Sequence, residues 1–322
     1  MEYRKKIKLL SGIVVILLAS YITGTFFSHA NVYQRRATQP VFDRALINKI
    51  SAMKVDLREG YIFLQRENNN WFFIYDGNKF PASADRVEAF IDSVSRITKH
   101  QLVSSNPRNW DRFDLVDGKS RDAFFFDSTG NKLFSLHIGK SGPSSRVGEG
   151  EYVRTSLSDE VFLISAPIIR HFQRDANFWG NLRVFPEDVN SNTISAVRIR
   201  VDEKFADVIS VLDFSMRRES VNNIIDWREA SGNVVNRNSA NMLLNNIATL
   251  VGDRFSQDHI IDRNGEIELE TDGHGRIILD IKLLEDYSVL FGIRGGDYRY
   301  GSALFRVERI LDSVERIVEE LR

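Results

Sequence analysis

Residues 9–27 read LLSGIVVILLASYITGTFF, nineteen positions without a charge. Beyond them apolar positions come only in short bursts, alternating as on a half-buried strand or spaced by three and four as on a helix face. At about 1.5 Å per helical residue the first run reaches roughly 28 Å, close to the hydrocarbon thickness of a bilayer. Arg4, Lys5, Lys6 and Lys8 precede it. Their charge predicts a cytoplasmic N-terminus, with the rest of the chain across the membrane. Arg35 and Arg36 beyond the run weaken this asymmetry without reversing it. A cleaved signal peptide is the rival reading, with residues 13–19 as its core and Ser28-His29-Ala30 as a small-x-small site. A buried core helix fits worse, because no charged position provides a wet face. The length of the run favours an anchor: a single pass through the cytoplasmic (inner) membrane, with residues 1–30 as basic tip and span and the bulk of the chain extracytoplasmic, or periplasmic.

The strand-like bursts repeat. ISAMKVDL at residues 50–57 returns as ISAVRIRV at 194–201, 144 positions later. The neighbours follow in the same order, with Trp71 matched by Trp227 and Ser83 by Ser239, each 156 positions apart. Ser83 and Ser239 read as N-caps of helices whose stripes are Val87, Phe90, Ile91, Val94 and Ile97 in one case and Leu243, Ile247 and Leu250 in the other. Asp85 suits the positive end of the first helix, and Gly252 reads as the end of the second. RDAFFFDSTGNKLF and EIELETDGHGRII then each spell strand, turn and returning strand. Each half closes with a strand leading to a helix: EVFLISAPIIRHF, with Pro167 in the first helical turn, and SALFRVERILDSVERIVEEL, with a stripe of Leu304, Val307, Leu311, Val314, Val318 and Leu321. The expectation is an α+β fold of two homologous lobes, residues 31–180 and 181–322, each a mostly antiparallel sheet with packed helices. A single large sheet with accidental local similarity is the alternative.

Composition narrows the chemistry. The 322 residues carry 43 Lys+Arg against 44 Asp+Glu, which leaves no basic excess for nucleic acid and no acidic tail. Cysteine is absent, so disulfides, thiolate metal sites and a cysteine nucleophile are excluded. Aromatics reach 11%, with 22 Phe, which suits β-rich packing.

With these segments in view, the chain resembles the bacterial family called domain of unknown function 4340. The resemblance rests on the N-terminal apolar segment, the strand at 50–57, the strand opening at Trp71, FPASADRVEAFIDSV, and the LHIGKSGP…GEGEYVR hairpin over 136–154. It covers the first lobe well and the second more loosely. Members are often encoded beside ABC-type permeases and gliding-motility-type auxiliary proteins. The resemblance therefore implies an accessory part in a transport or cell-envelope system, and it carries no catalytic residues.

Other motifs dissolve on inspection. Gly139-Lys140-Ser141 lacks the earlier glycine of a phosphate loop, since Phe134 stands there, and the following Gly142-Pro143-Ser144 cannot open a helix. A hairpin loop with Gly148 and Gly150 on its return side is expected, leaving Lys140 and Arg146 as candidate partner or anion contacts. His29, His100, His137, His171, His259 and His274 show no zinc spacing. Asp262-Arg263-Asn264-Gly265 and Asp272-Gly273 do not continue as calcium loops and read as turns. Residues 124–126 (FFF) and Trp71-Phe72-Phe73 are either strand core or cleft lining. GGDYRYGS sets Tyr298, Arg299 and Tyr300 between glycines, either an ordinary hairpin tip or interface anchors. No cofactor, metal or catalytic residue is assigned. The leading expectation is a non-catalytic, membrane-anchored accessory or scaffold protein whose partners are the membrane and an ABC-type permease or envelope protein. An extracytoplasmic solute- or glycan-binding protein using a groove between lobes comes second, and an envelope hydrolase with scattered residues third.

Overall fold

The structure is a computed structural model that describes residues 2–26, 39–57, 60–99, 101–142, 150–164, 168–172, 175–202, 212–221 and 224–322. Ser28-His29-Ala30, Arg35, Arg36, His100, Ser144, Arg146, Gly148 and Pro167 lie outside these residues. Helix α1 (Glu2–Phe26) covers most of the uncharged run. Its apolar side chains stand in the open all round, from Ile13 at 49% and Ile16 at 66% to Tyr21 at 72% exposed. No helix among the described residues is long and apolar enough to cross a membrane. The side chains described in α1 are those of residues 12–24, fewer than the roughly 20 that a span takes.

The chain divides into two compact units, Met1–Ala176 and Asn177–Arg322. The first lobe builds a nine-stranded sheet from β1 (Ala52–Asp56), β2 (Tyr61–Glu67), β3 (Asn70–Tyr75), β4 (Asn78–Pro81), β5 (Gln101–Ser104), β6 (Arg121–Phe126), β7 (Lys132–Ser141), β8 (Glu151–Thr155) and β9 (Val161–Ile164). The second builds another from β10 (Ile194–Val201), β11 (Leu212–Val221), β12 (Ile224–Glu229), β13 (Val234–Val235), β14 (Arg254–Ser256), β15 (Gly265–Thr271), β16 (Gly275–Leu283), β17 (Ser288–Ile293) and β18 (Arg299–Ala303). The orders are β4-β3-β2-β1-β6-β7-β8-β9-β5 and β13-β12-β11-β10-β15-β16-β17-β18-β14. Shifted by nine, they are the same order, and every pairing is antiparallel. The repeated ISA strands are β1 and β10, and each sits fourth in its sheet.

Turn chemistry sets the hairpins. Asn68-Asn69 and Asp76-Gly77 all take positive φ and form two-residue turns after β2 and β3, the geometry that matches strand twist. In the turn after β6, the Asp127 carboxylate accepts from the amides of Thr129 and Asn131. Helix α2 (Ala84–Ser95) lays Val87, Phe90, Ile91 and Val94 onto the first sheet, where Phe90 stacks 6.1 Å from Phe125. In the second lobe α3 (Arg237–Ala248) and α4 (Phe305–Leu321) cover one sheet face together, burying Leu243, Leu244 and Ile247 beside Val307, Ile310, Leu311, Val314 and Ile317.

Three local expectations are corrected. The cap of α3 is Asn236, whose side chain accepts from the Asn238 amide. Ser239 lies inside that helix, and its hydroxyl donates to Glu320. Gly252 lies past the helix end at Ala248 and serves another purpose, because a Cβ there would come 2.8 Å from Tyr300 Cβ. The first lobe ends in a 3-10 turn, Ile169–His171, instead of a helix. The Glu151 carboxylate, 3% exposed, accepts from the amides of Ile168 and Ile169 and so ties that turn to β8.

Candidate functional site

The anchors expected in GGDYRYGS are only partly presented. Alternation along β18 turns Tyr300 inward, where it is 5% exposed between Phe255 and Phe291. Burial, with Tyr298 nearby, pushes its hydroxyl pKa up to about 12. Tyr300 is a core residue. Arg299 folds back and donates to the carbonyls of Gly296 and Tyr298, while Tyr298 is half-buried and edge-on to Phe255. Lys140 is exposed near the end of β7 in the first lobe, and its expected companion Arg146 lies outside the described residues. The glycine before Lys140 has a structural reason: a Cβ on Gly139 would stand 2.0 Å from the Phe113 carbonyl oxygen.

The aromatic runs read as either strand core or cleft lining divide between the two faces: Trp71, Phe73 and Phe125 are buried, and Phe72, Phe124 and Phe126 stand on the sheet face opposite the helix. In the first lobe, outward positions on the five strands from β4 to β6 carry Tyr61, Phe63, Phe72, Ile74, Phe124 and Phe126. Tyr61 is 56% exposed and the other five are half-buried, with the Lys79 ammonium 4.4 Å from the Phe72 ring centroid. Lys54 on β1 is registered between Phe63 and Phe124, and Ala52 next to it leaves room for the Phe63 and Phe126 rings to meet at 6.2 Å. The Lys54 ammonium rests 3.9 Å from the Tyr61 ring centroid. Lys54 makes no ion pair among the described residues.

Beside this apolar platform runs a polar row. Register sets Asp122 opposite His137 and His137 opposite Arg154. His137 Nδ1 lies 2.8 Å from Asp122 Oδ1, and His137 Nε2 lies 2.9 Å from Ser135 Oγ. The Asp122 amide donates to Asp56 Oδ2 at 3.1 Å. Burial alone pushes the Asp122 carboxyl up, but hydrogen bonds from His137 and Ser120 and the charges of His137 and Arg154 outweigh it, so its pKa sits below the ordinary 3.8. Asp56 goes the other way: burial raises it, and the Asp122 amide opposes only in part. The Ser–His–Asp order invites a nucleophile, yet Ser135 is 2% exposed, which leaves no room for an acyl carbon to approach. The row is better described as a satisfied buried polar chain.

The matching face of the second lobe is ionic. Arg198 grips Asp213 with both guanidinium branches at 3.0 and 2.7 Å. Glu266, 5% exposed, gathers Arg200, Arg263 and Arg294. Arg276 pairs with Glu268 at 2.7 Å, and Arg217 with Glu219 at 2.5 Å. A groove of about 570 Å³ opens over Arg198, Ser215, Arg217, Arg228, Glu268 and Glu270. Most of its charges already hold a partner, and pairs this exposed add little to stability.

A family model described as Domain of unknown function (DUF4340) matches residues 71–262, more than half of the chain. The chain belongs to that family. The match begins on β3 in the first lobe and ends between β14 and β15 in the second, so the family unit takes in parts of both sheets. No curated protein and no solved structure matches the chain.

Proposed function

We propose that the protein is a membrane-anchored, extracytoplasmic accessory subunit that presents binding surfaces beside a membrane transporter and performs no catalysis. The single observation behind this reading is the state of α1: Ile13 to Leu18 are all about half or more exposed. In water so long an apolar surface is unstable, and contiguous patches of that kind mark contact with lipid or protein. The four cations before the run orient it with its N-terminus in the cytoplasm. The two lobes then arise by duplication, and their sheets with the same strand order stand outside. Family context supplies the kind of machine, an ABC-type permease or another envelope assembly.

The test is location. Full-length protein is expected to stay with membranes through carbonate extraction at high pH, and a C-terminal alkaline phosphatase fusion is expected to be active. A chain whose residues 1–38 are replaced by a cleavable secretion signal is expected in the soluble extracytoplasmic fraction. Full-length protein released by carbonate, or an inactive phosphatase fusion, overturns the reading.

A further inference from the structure

The two sheets serve as controls for each other, because their registers match strand by strand. Position for position, Phe63 corresponds to Ser215, Phe72 to Arg228, Ile74 to Ala230, Phe124 to Glu268 and Phe126 to Glu270. Trp71 and Trp227, the inward neighbours of Phe72 and Arg228, are buried at 3% and 7%, so the alignment also holds on the core side. The fold therefore accepts polar and charged side chains at most of these outward sites. The aromatics of the first lobe are not needed to complete its core, and leaving them half-exposed forgoes hydrophobic stabilisation.

The cation at the centre tells what is missing. Lys54 corresponds to Arg198, and Tyr61 corresponds to Asp213. In the second lobe Arg198 reaches diagonally to the Asp213 carboxylate at 2.7 Å. In the first, Lys54 reaches along the same diagonal to the Tyr61 ring. The cation keeps its place without a salt bridge among the described residues: Asp56, two residues along the same face, feels its charge but forms no ion pair with it, and Phe63 and Phe124 flank it across the strands.

We propose that this face of the first lobe is a docking platform for an amphipathic protein segment whose apolar side chains cover Phe63, Phe72, Phe124 and Phe126 and whose carboxylate meets Lys54. Apolar contact supplies the affinity, and the buried charge pair fixes register. A second copy of the chain is a poor occupant, since face-to-face packing about a twofold axis sets Lys54 against Lys54. A bilayer is a poor one too. Insertion needs protruding apolar side chains, and on this flat surface only Tyr61 exceeds half exposure. The proposal rests on the accessory reading for where the partner is found, but the geometry stands without it.

The experiment places the photocrosslinker p-benzoyl-phenylalanine in full-length protein in intact cells, replacing Phe126 in one variant and Phe72 in another, with Glu270 replaced as the matched control. Crosslinked peptides are sequenced by mass spectrometry. The expected result is an adduct from one or both platform positions, and none from position 270, to a single protein segment that carries apolar residues and at least one Asp or Glu. Lys54→Glu is expected to lower the adduct yield at least tenfold at unchanged Tm, and Lys54→Arg to keep it within twofold. Adducts to lipid alone, to a second copy of the chain or to nothing overturn the proposal. So does an acidic segment whose yield is indifferent to Lys54→Glu. Failure here with the protein still carbonate-resistant removes the platform and leaves the anchor. An acidic adduct on a chain released by carbonate does the reverse.

Discussion

At the scale of single residues, position in the register decides what a side chain does. Gly139 sits in a stretch that imitates a phosphate loop, yet its role is to let the Phe113 carbonyl approach to 2.0 Å from where a Cβ would be. Gly139→Ala is expected to destabilise the first lobe by about 1–3 kcal/mol, the usual cost of overpacking, read as a drop in denaturant midpoint. Asp122 gives a pH prediction with a definite sign. Its folded pKa lies below the unfolded value near 3.8, so the stabilisation is complete above that value and is lost as pH falls through the lower folded pKa. Asp122→Asn is expected to lower the first lobe's Tm at pH 7 and to flatten the loss of Tm as pH falls from about 4 toward 2. An unchanged acid limb speaks against the row as a stabilising element. Neither feature was legible in the sequence. Asp122, Ser135 and His137 sit on two strands, and only the pairing of Asp122 with His137 closes the chain of hydrogen bonds. Whether Tyr300 belongs to a hairpin tip or to an interface anchor stays open in the sequence for the same reason: alternation along β18 is fixed only by its pairing with β14 and β17, which turns Tyr300 inward.

At the scale of elements, the helical stripes and hairpins were legible because each is a local pattern. The Val87, Phe90, Ile91, Val94 face lies on the first sheet as its spacing implies, and both strand-turn-strand segments form β6–β7 and β15–β16. Caps were less legible, since several polar residues stand near each helix start and only backbone geometry chooses among them. Asn236 makes the capping bond of α3, whereas Ser83, at the cap position of α2, makes none. Asn236→Ala is therefore expected to cost about 1 kcal/mol, and Ser83→Ala to stay within about 0.5 kcal/mol, both by chemical denaturation. Equal losses at the two serves as the contrary result. The end of the first lobe was misread for a physical reason. EVFLISAPIIRHF is apolar at both helical and strand spacing, and the amides that open the Ile169–His171 turn are held by the Glu151 carboxylate, seventeen or more residues upstream.

At the scale of the whole chain, the repeat of ISA, Trp and Ser at fixed offsets anticipated two sheets of one strand order, because duplication copies topology even where side chains drift. What drifted could not be read beforehand. The outward residues are aromatic in the first lobe and ionic in the second while the inward ones are apolar in both, and the distinction between the two faces exists only once register is known. Among the described residues, the core of the second lobe, from Val184 to Ile317, draws on residues of its own unit. That containment gives a prediction at this scale, and it runs against the family match, which cuts the chain at residues 71 and 262 in the middle of both sheets. A fragment of residues 177–322 keeps β10 to β18, α3 and α4 intact, so it is expected to unfold in one cooperative transition by circular dichroism and by Trp227 fluorescence together. A fragment of residues 71–262 loses β1, β2 and β15 to β18, opens sheet edges at β3, β6 and β10, leaves β14 without its partner strand and a core without α4, and is expected to be insoluble or to melt without cooperativity. If 71–262 folds cooperatively and 177–322 does not, then the folding unit follows the family boundary, and each sheet depends on the other lobe to complete it.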